Sequence, residues 1–264
     1  MLLLCGNIPK AMSTNSTETN WFKDWFNSTY YHLLYNHRDE EEASAFIQLL
    51  VEQLNLPNGS RVLDLACGKG RHSITLSNLG FNVLGVDLAE DSINAANETA
   101  KENLSFEVAD MRNLEGIGQF DAVFNLFTSF GYFEDDNDQL KVLQQVNSIL
   151  RPGAVFTIDF LNQHLVRTGL VPNAAIKRTL DSKEITFHIT KELNENRVVK
   201  TIDFFAEGKN HKFQERVRLI SKQELIEWMT VSGFDIIYTF GDYYLNDFEL
   251  ETSPRLLIVA RKRD

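Results

Sequence analysis

Residues 61–74 read RVLDLACGKGRHSI, an apolar run that breaks at Cys67-Gly-Lys-Gly70 and continues in a different rhythm. Val62–Ala66 is short and apolar on both faces, the pattern of a strand buried inside a sheet. Arg71–Leu79 reads as a helix stopped by Gly80. A strand that turns through two glycines into a helix sets a ligand at the helix N-terminus, beyond the carboxyl end of the strand.

The same alternation continues downstream. Asn82–Val86, Leu104–Val108, Asp121–Phe127 and Ala154–Phe160 read as strands. Helices fall at about 90–101 and at Asn137–Leu150, the latter stopped by Arg151-Pro-Gly153. From about Lys177 to Ile220 the period changes to two: Ile185, Phe187 and Ile189, then Ile202 and Phe204, then Val217 and Leu219. Turn signals at Asn194-Glu-Asn196 and Gly208-Lys-Asn210 divide them. Ser221–Ser232 follows as a helix with a capping box from Ser221 and Glu224, then strands at Phe234–Tyr244 and Arg255–Arg261. The expected fold is α/β: a doubly wound, mostly parallel, seven-stranded Rossmann-like sheet with a terminal antiparallel hairpin and an inserted small antiparallel sheet. Residues 1–20 read as a disordered leader, 21–163 with 221–264 as one domain, and 164–220 as an inserted meander. That meander would serve as a lid on the acceptor side or as a dimer contact.

The whole chain narrows the partners. Its 264 residues are 43% hydrophobic, enough for a sizeable core, and carry Asp+Glu 37 against Lys+Arg 26, a net charge of -11. Such a surface repels phosphate backbones, and the only basic cluster is Arg261-Lys-Arg263, so no nucleic-acid partner is expected. No apolar run is long enough to span a membrane. Cys5 and Cys67 have no metal-ligand spacing, and a cytoplasmic, reducing setting fits them. The opening MLLLCGNIPKAM has too short an apolar run for a lipoprotein signal, and Met12 is a second candidate start.

Which ligand the glycine turn holds depends on the acids around it. Gly68 and Gly70 supply two positions of the dinucleotide fingerprint G-x-G-x-x-G, but Ser73 stands in the third. No Gly-Lys-Ser/Thr is present for a P-loop. Asp64, inside the strand, is expected to point to the same mouth, where it disfavours a pyrophosphate and suits an ammonium group. Asp87, closing the next strand, is placed to accept hydrogen bonds from ribose hydroxyls. Ribose and a cationic amino-acid part without phosphate describe S-adenosylmethionine.

VLDLACGKGRHSITLSNLGFNVLGVDLAEDSI (62–93) resembles the cofactor half of the class I S-adenosylmethionine-dependent methyltransferases. Ala109-Asp110-Met111, Phe120–Leu126 and Arg151-Pro-Gly153 with Asp159 extend the likeness. It is strong over about 40–160 and looser over 221–264. Thr128-Ser-Phe-Gly-Tyr-Phe133 and Tyr31-His-Leu-Leu-Tyr35 are similar to a bacterial subgroup of small methyltransferases. The resemblance implies cofactor contacts from Asp64, Ala66, Gly68, Gly70, Asp87, Leu88, Asp110, Met111, Asn125 and Leu126, with Asp110 on the adenine amino group. Tyr31, Tyr35 and Arg38 would cap the cofactor, the arginine meeting the methionine carboxylate; the alternative is that this segment is core, as read for Trp25 and Phe26. S-adenosylhomocysteine would be the product and a small molecule the acceptor, on a monomer or homodimer. The prolines of the (Asp/Asn)-Pro-Pro-(Tyr/Phe) motif are missing at Asn125-Leu-Phe-Thr128, which argues against methylation of adenine or glutamine amino groups.

No side chain is marked as a general base, so no catalytic residue is named; His72 is the weaker candidate, and Cys67 reads as a packing residue. Asp159 and Asn162 are candidates for orienting an acceptor. Glu134-Asp-Asp136 with Asp138 reads as an acidic helix start rather than a metal site. Two other classes stay open at this point: a nicotinamide-dependent oxidoreductase, and a non-catalytic S-adenosylmethionine-binding module.

Overall fold

The computed structural model describes residues 21–35 and 40–264. The expected leader, 1–20, and Arg38 lie outside the described residues. Two short helices come first, α1 (Trp21–Phe26) and α2 (Thr29–Tyr35), then α3 (Glu40–Leu54). The core alternation is β1 (Arg61–Leu65), α4 (Arg71–Asn78), β2 (Asn82–Asp87), α5 (Glu90–Asn97), β3 (Leu104–Val108), β4 (Phe120–Asn125), α6 (Asp136–Ile149) and β5 (Leu150–Leu161). After α7 (Gln163–Gly169) come four strands, β6 (Asn173–Leu180), β7 (Lys183–Asn194), β8 (Arg197–Ala206) and β9 (Lys209–Arg218). Helix α8 (Lys222–Val231) and strands β10 (Phe234–Phe240) and β11 (Arg255–Lys262) end the chain.

The main sheet has seven strands in the order β10-β11-β5-β4-β1-β2-β3. β5, β4, β1, β2 and β3 run parallel, while β11 pairs antiparallel with both β10 and β5. The pleat sends alternate side chains to opposite faces. In β11, Leu256, Ile258 and Ala260 join one core with α6 and α8, while Leu257 and Val259 join the other with α3, α4 and α5. This double burial explains why these strands read as continuous apolar runs rather than alternating ones.

β6 to β9 form a separate antiparallel meander. The period-two reading anticipated β7, β8 and β9 but not β6 or α7. β6, NAAIKRTL, is an edge strand with no fully buried residue; only Ile176 and Leu180 pack partly on the core, too few apolar positions to mark the strand in sequence. The buried face, with Ile185, Phe187, Ile189, Ile202 and Phe204, packs against Trp25, Tyr30, Leu33 and Leu34 of α1 and α2. Trp25 and Tyr30 are therefore core to the second sheet, while Phe26 packs against the cores of both. Trp25 is fully buried, its ring 4.5 Å from that of Phe213. No described helix is long and apolar enough to cross a membrane.

Candidate cofactor site

The turn after β1 is held by its own backbone. Ala66, Gly68 and Gly70 all take positive φ, at 64°, 56° and 81°. Cys67 N–H donates to Val86 O at 2.9 Å, and Gly70 N–H donates back to Cys67 O at 3.0 Å. Asp87, at the end of β2, ties the turn to the next strand: it accepts from Gly68 N–H and Ala89 N–H, both at 2.8 Å. Burial raises the carboxyl pKa of Asp87, against the main-chain hydrogen bonds that lower it. The carboxylate offers about four acceptor sites, and the main-chain N–H groups of Gly68, Leu88 and Ala89 draw on them, which leaves part of its capacity for a ligand.

The two glycines have different reasons. A Cβ at Gly68 would meet nothing within 4 Å, and Gly68 lines an open cavity of about 450 Å³. A Cβ at Gly70 would lie 2.6 Å from the Phe106 ring, so this glycine lets α4 approach the sheet. Gly70 does not line the cavity. Gly70→Ala combines that clash with a left-handed backbone and is expected to cost about 1–3 kcal/mol in urea unfolding, where an unchanged midpoint would contradict the packing account.

Asp64 also departs from its expected place. It is 1% exposed, lies behind the turn and accepts from Ser73 Oγ at 2.6 Å, so it does not reach the cavity wall. Burial pushes its carboxyl pKa up to about 6, against the hydrogen bond from Ser73. Ser73 thus fills the space of a third glycine with a hydroxyl that satisfies a buried acid. Asn125 is set back as well, its Nδ2 donating to Leu65 O at 2.9 Å. Cys67, 7% exposed, has its thiol pKa raised by burial, which suits a packing role.

The cavity gathers Tyr35, Ala66, Gly68, Asp87, Leu88, Asp110, Met111 and Leu126 from the expected set. Asp110 is gripped by Arg112 at 2.7 Å, which also reaches Asp138 at 2.9 Å and lies over the Phe133 ring. The acidic helix start is thereby accounted for: Asp135 caps α6 and Asp138 anchors that arginine.

Tyr31, read with Tyr35 as a candidate cap, lines the cavity, as do Phe26, His32 and Tyr132, which the sequence reading had not placed there. Phe26 packs edge-on against Tyr31 and Tyr132, with centroids at 5.1 and 5.2 Å. His32 meets Ser92 Oγ at 3.3 Å, and burial, reinforced by Lys69, pushes its pKa down to about 4. His72 also lines the cavity, stacked on Phe127 at 4.8 Å, with Arg71 Nη2 donating to its Nε2 at 3.3 Å. That nitrogen is therefore engaged rather than turned to an incoming proton.

Phe127 and Thr128 form the far wall with φ of 58° and 59°, two successive non-glycine residues in the left-handed region. A buried ion pair holds them. Asp159, 0% exposed, accepts from Phe127 N–H at 2.8 Å, Tyr243 OH at 3.0 Å and Arg255 Nε at 2.9 Å. Arg255 Nη2 donates to Thr128 Oγ1 at 2.7 Å. Asn162 caps α7 and donates to Leu250 O and Ser253 O. Asp159 and Asn162, expected to orient an acceptor, are committed to holding loops.

The comparisons agree with this architecture. A family model described as a methyltransferase domain matches residues 56–230, and the chain belongs to that family, within the class I S-adenosylmethionine-dependent methyltransferases. A glycine/sarcosine N-methyltransferase of Parasynechococcus marenigrum is 30% identical over 225 residues, covering 81% of this chain and 75% of the relative. An S-adenosylmethionine-dependent methyltransferase from Clostridium acetobutylicum superposes with a TM-score of 0.74 at 21% identity, over 89% of this chain and 96% of that one. A sugar N-methyltransferase from Streptoalloteichus gives 0.70 at 18% identity, over 100% and 99%. At such identities the structural likeness speaks to fold alone. S-adenosylmethionine is the cofactor of this family. The residues fit it on their own chemistry: an acid with free lone pairs beside an open glycine turn, and aromatic rings suited to a sulfonium.

Proposed function

We propose that the chain transfers the S-methyl group of S-adenosylmethionine to a small-molecule acceptor. The observation that carries this reading is the corner formed by Gly68 and Asp87, which opens onto the same cavity as Asp110, Met111 and the aromatic wall. Asp87 would receive the ribose hydroxyls, Gly68 would admit the donor to the backbone, and Asp110 with Met111 would flank the adenine. Leu88, Ala66 and Leu126 would supply apolar contact. Tyr35 would cover the donor, while Asp64, Gly70 and Asn125 would act from behind by shaping the turn.

The donor carries its own electrophile, so the chain's task is alignment and exclusion of water. An acceptor lone pair forms the new bond to the methyl carbon while the carbon–sulfur bond breaks and its electron pair returns to sulfur. A proton then leaves the acceptor to solvent. Holding the two reactants in line is a proximity effect that can supply most of the acceleration. The aromatic wall favours a dry site, and no residue is assigned as base. The β6–β9 sheet, with residues 164–220 as its segment, would lie over the acceptor side. Membership in the family and the N-methyltransferases among its relatives support a small metabolite as acceptor.

Thermal unfolding with and without ligand tests the reading. S-adenosylhomocysteine at about 100 times its Kd should stabilise the chain by roughly 2.7 kcal/mol, and NAD should not. Stabilisation by NAD alone would make the chain a nicotinamide enzyme. Transfer of labelled methyl into a metabolite extract should follow; binding without any transfer would leave a non-catalytic module.

A further inference from the structure

Glu215 lies on β9, far along the chain from the donor turn, and nothing in its polar neighbourhood, Lys212–Arg216, sets it apart in sequence. Its side chain is 13% exposed and receives donors from both leading helices. Trp25 Nε1 of α1 donates to its Oε1 at 2.7 Å. The Tyr35 hydroxyl of α2 lies 2.7 and 2.8 Å from its two oxygens. Lys200 of β8 approaches Oε2 at 3.3 Å, sits 4.5 Å from the centre of the Tyr35 ring and also contacts its hydroxyl. The same two helices have a second foothold on α5, where Asp91 N–H donates to Asn27 Oδ1 at 2.8 Å and His32 meets Ser92. Between these footholds, Phe26, Tyr31, His32 and Tyr35 form one side of the cavity.

We infer that Glu215 is a positioning residue for the donor: its carboxylate fastens α1 and α2 over the cofactor cavity from the second sheet. The inference rests on the proposed function for the identity of the donor. One carboxylate holds an indole, a phenol and an ammonium that come from three elements. Its loss takes the shared acceptor from all three in a largely buried site, where weakened hydrogen bonding is expensive, while Lys200 and the Tyr35 hydroxyl keep their mutual contact. The α5 foothold and the apolar packing of α1 and α2 on the second sheet would remain without the polar clamp, and the end of α2 that carries Tyr35 would spend part of the time away from the cavity. Apparent affinity falls by the fraction of closed molecules that is lost.

The test uses the full chain, with S-adenosylhomocysteine as probe, titrated by calorimetry, and hydrogen exchange read by mass spectrometry. Glu215→Ala is expected to weaken binding about tenfold or more and to speed exchange in 21–35, while β1, β4 and β5 stay protected. Glu215→Gln keeps an acceptor oxygen and should recover a substantial part of the affinity. Glu215→Ala with wild-type affinity and unchanged exchange in 21–35 would overturn the inference. So would an affinity loss accompanied by faster exchange throughout the main sheet, which is the signature of general destabilisation. A wild-type chain that binds no S-adenosylhomocysteine would overturn the proposed function instead, and the exchange rates in 21–35 would still decide whether Glu215 fastens the helices.

Discussion

Asp87→Ala should weaken S-adenosylhomocysteine binding by roughly a hundredfold or more, the largest loss expected from any single substitution in the site. In its proposed role Asp87 accepts from two ribose hydroxyls, which would lose a charged acceptor, and hydrogen bonds to charged groups contribute about 1.5–3 kcal/mol each. The backbone loses as much as the ligand does. Gly68 N–H and Ala89 N–H both end on this carboxylate at 2.8 Å, so the turn that admits the ligand loses its tether to β2. Asp87→Asn separates charge from shape. Its amide keeps one acceptor oxygen but turns an NH2 group towards a main-chain N–H, so two donors oppose each other. It should therefore bind little better than the alanine variant. Calorimetry decides the matter: an affinity within about threefold of the wild type in either variant would remove Asp87 from the ribose-binding role.

Arg255→Met should lower the free energy of unfolding by about 3–5 kcal/mol, because it leaves a charged Asp159 in the interior without its cation. Asp159 is 0% exposed and loses the contacts from both Nε and Nη2 of the arginine. The damage has a specific address. Phe127 and Thr128 keep their left-handed conformation while Asp159 holds Phe127 N–H and Arg255 holds the Thr128 hydroxyl. Strained backbone persists only when its surroundings over-determine it. Pairing Arg255→Met with Asp159→Asn removes the orphaned charge and should recover part of the loss. Urea denaturation of the single and double variants measures both effects; a single variant within about 1 kcal/mol of wild type would show that the pair contributes little beyond packing.

The parts of the site that could be read in the sequence are those whose causes are local. The β1–α4 turn is written in a dozen consecutive residues, and Asp87 closes the strand that pairs directly with β1. Asp64 and Gly70 were located correctly in the chain but given the wrong partner. Both look towards the ligand in a linear reading, yet Ser73 and Phe106, brought in by α4 and β3, claim them first. Asn125 is withdrawn in the same way by Leu65 O. Glu215 and the Asp159–Arg255 pair had no local signal at all. Trp25 and Tyr35, which meet Glu215, lie 180 or more residues from it, and Arg255 lies 96 from Asp159, so only the folded chain brings them together. The second sheet divides along the same line: strands with a buried alternating face were legible, and edge strand β6 was not.

The last strand sits between β10 and β5 rather than at an edge of the sheet. A chain still being synthesised therefore presents β5 with one flank unpaired until Arg255–Lys262 has emerged, a long apolar row open to strand addition by a neighbour. Assembly is thus a race between the seating of Arg255–Lys262 beside β5 and self-association through that open flank.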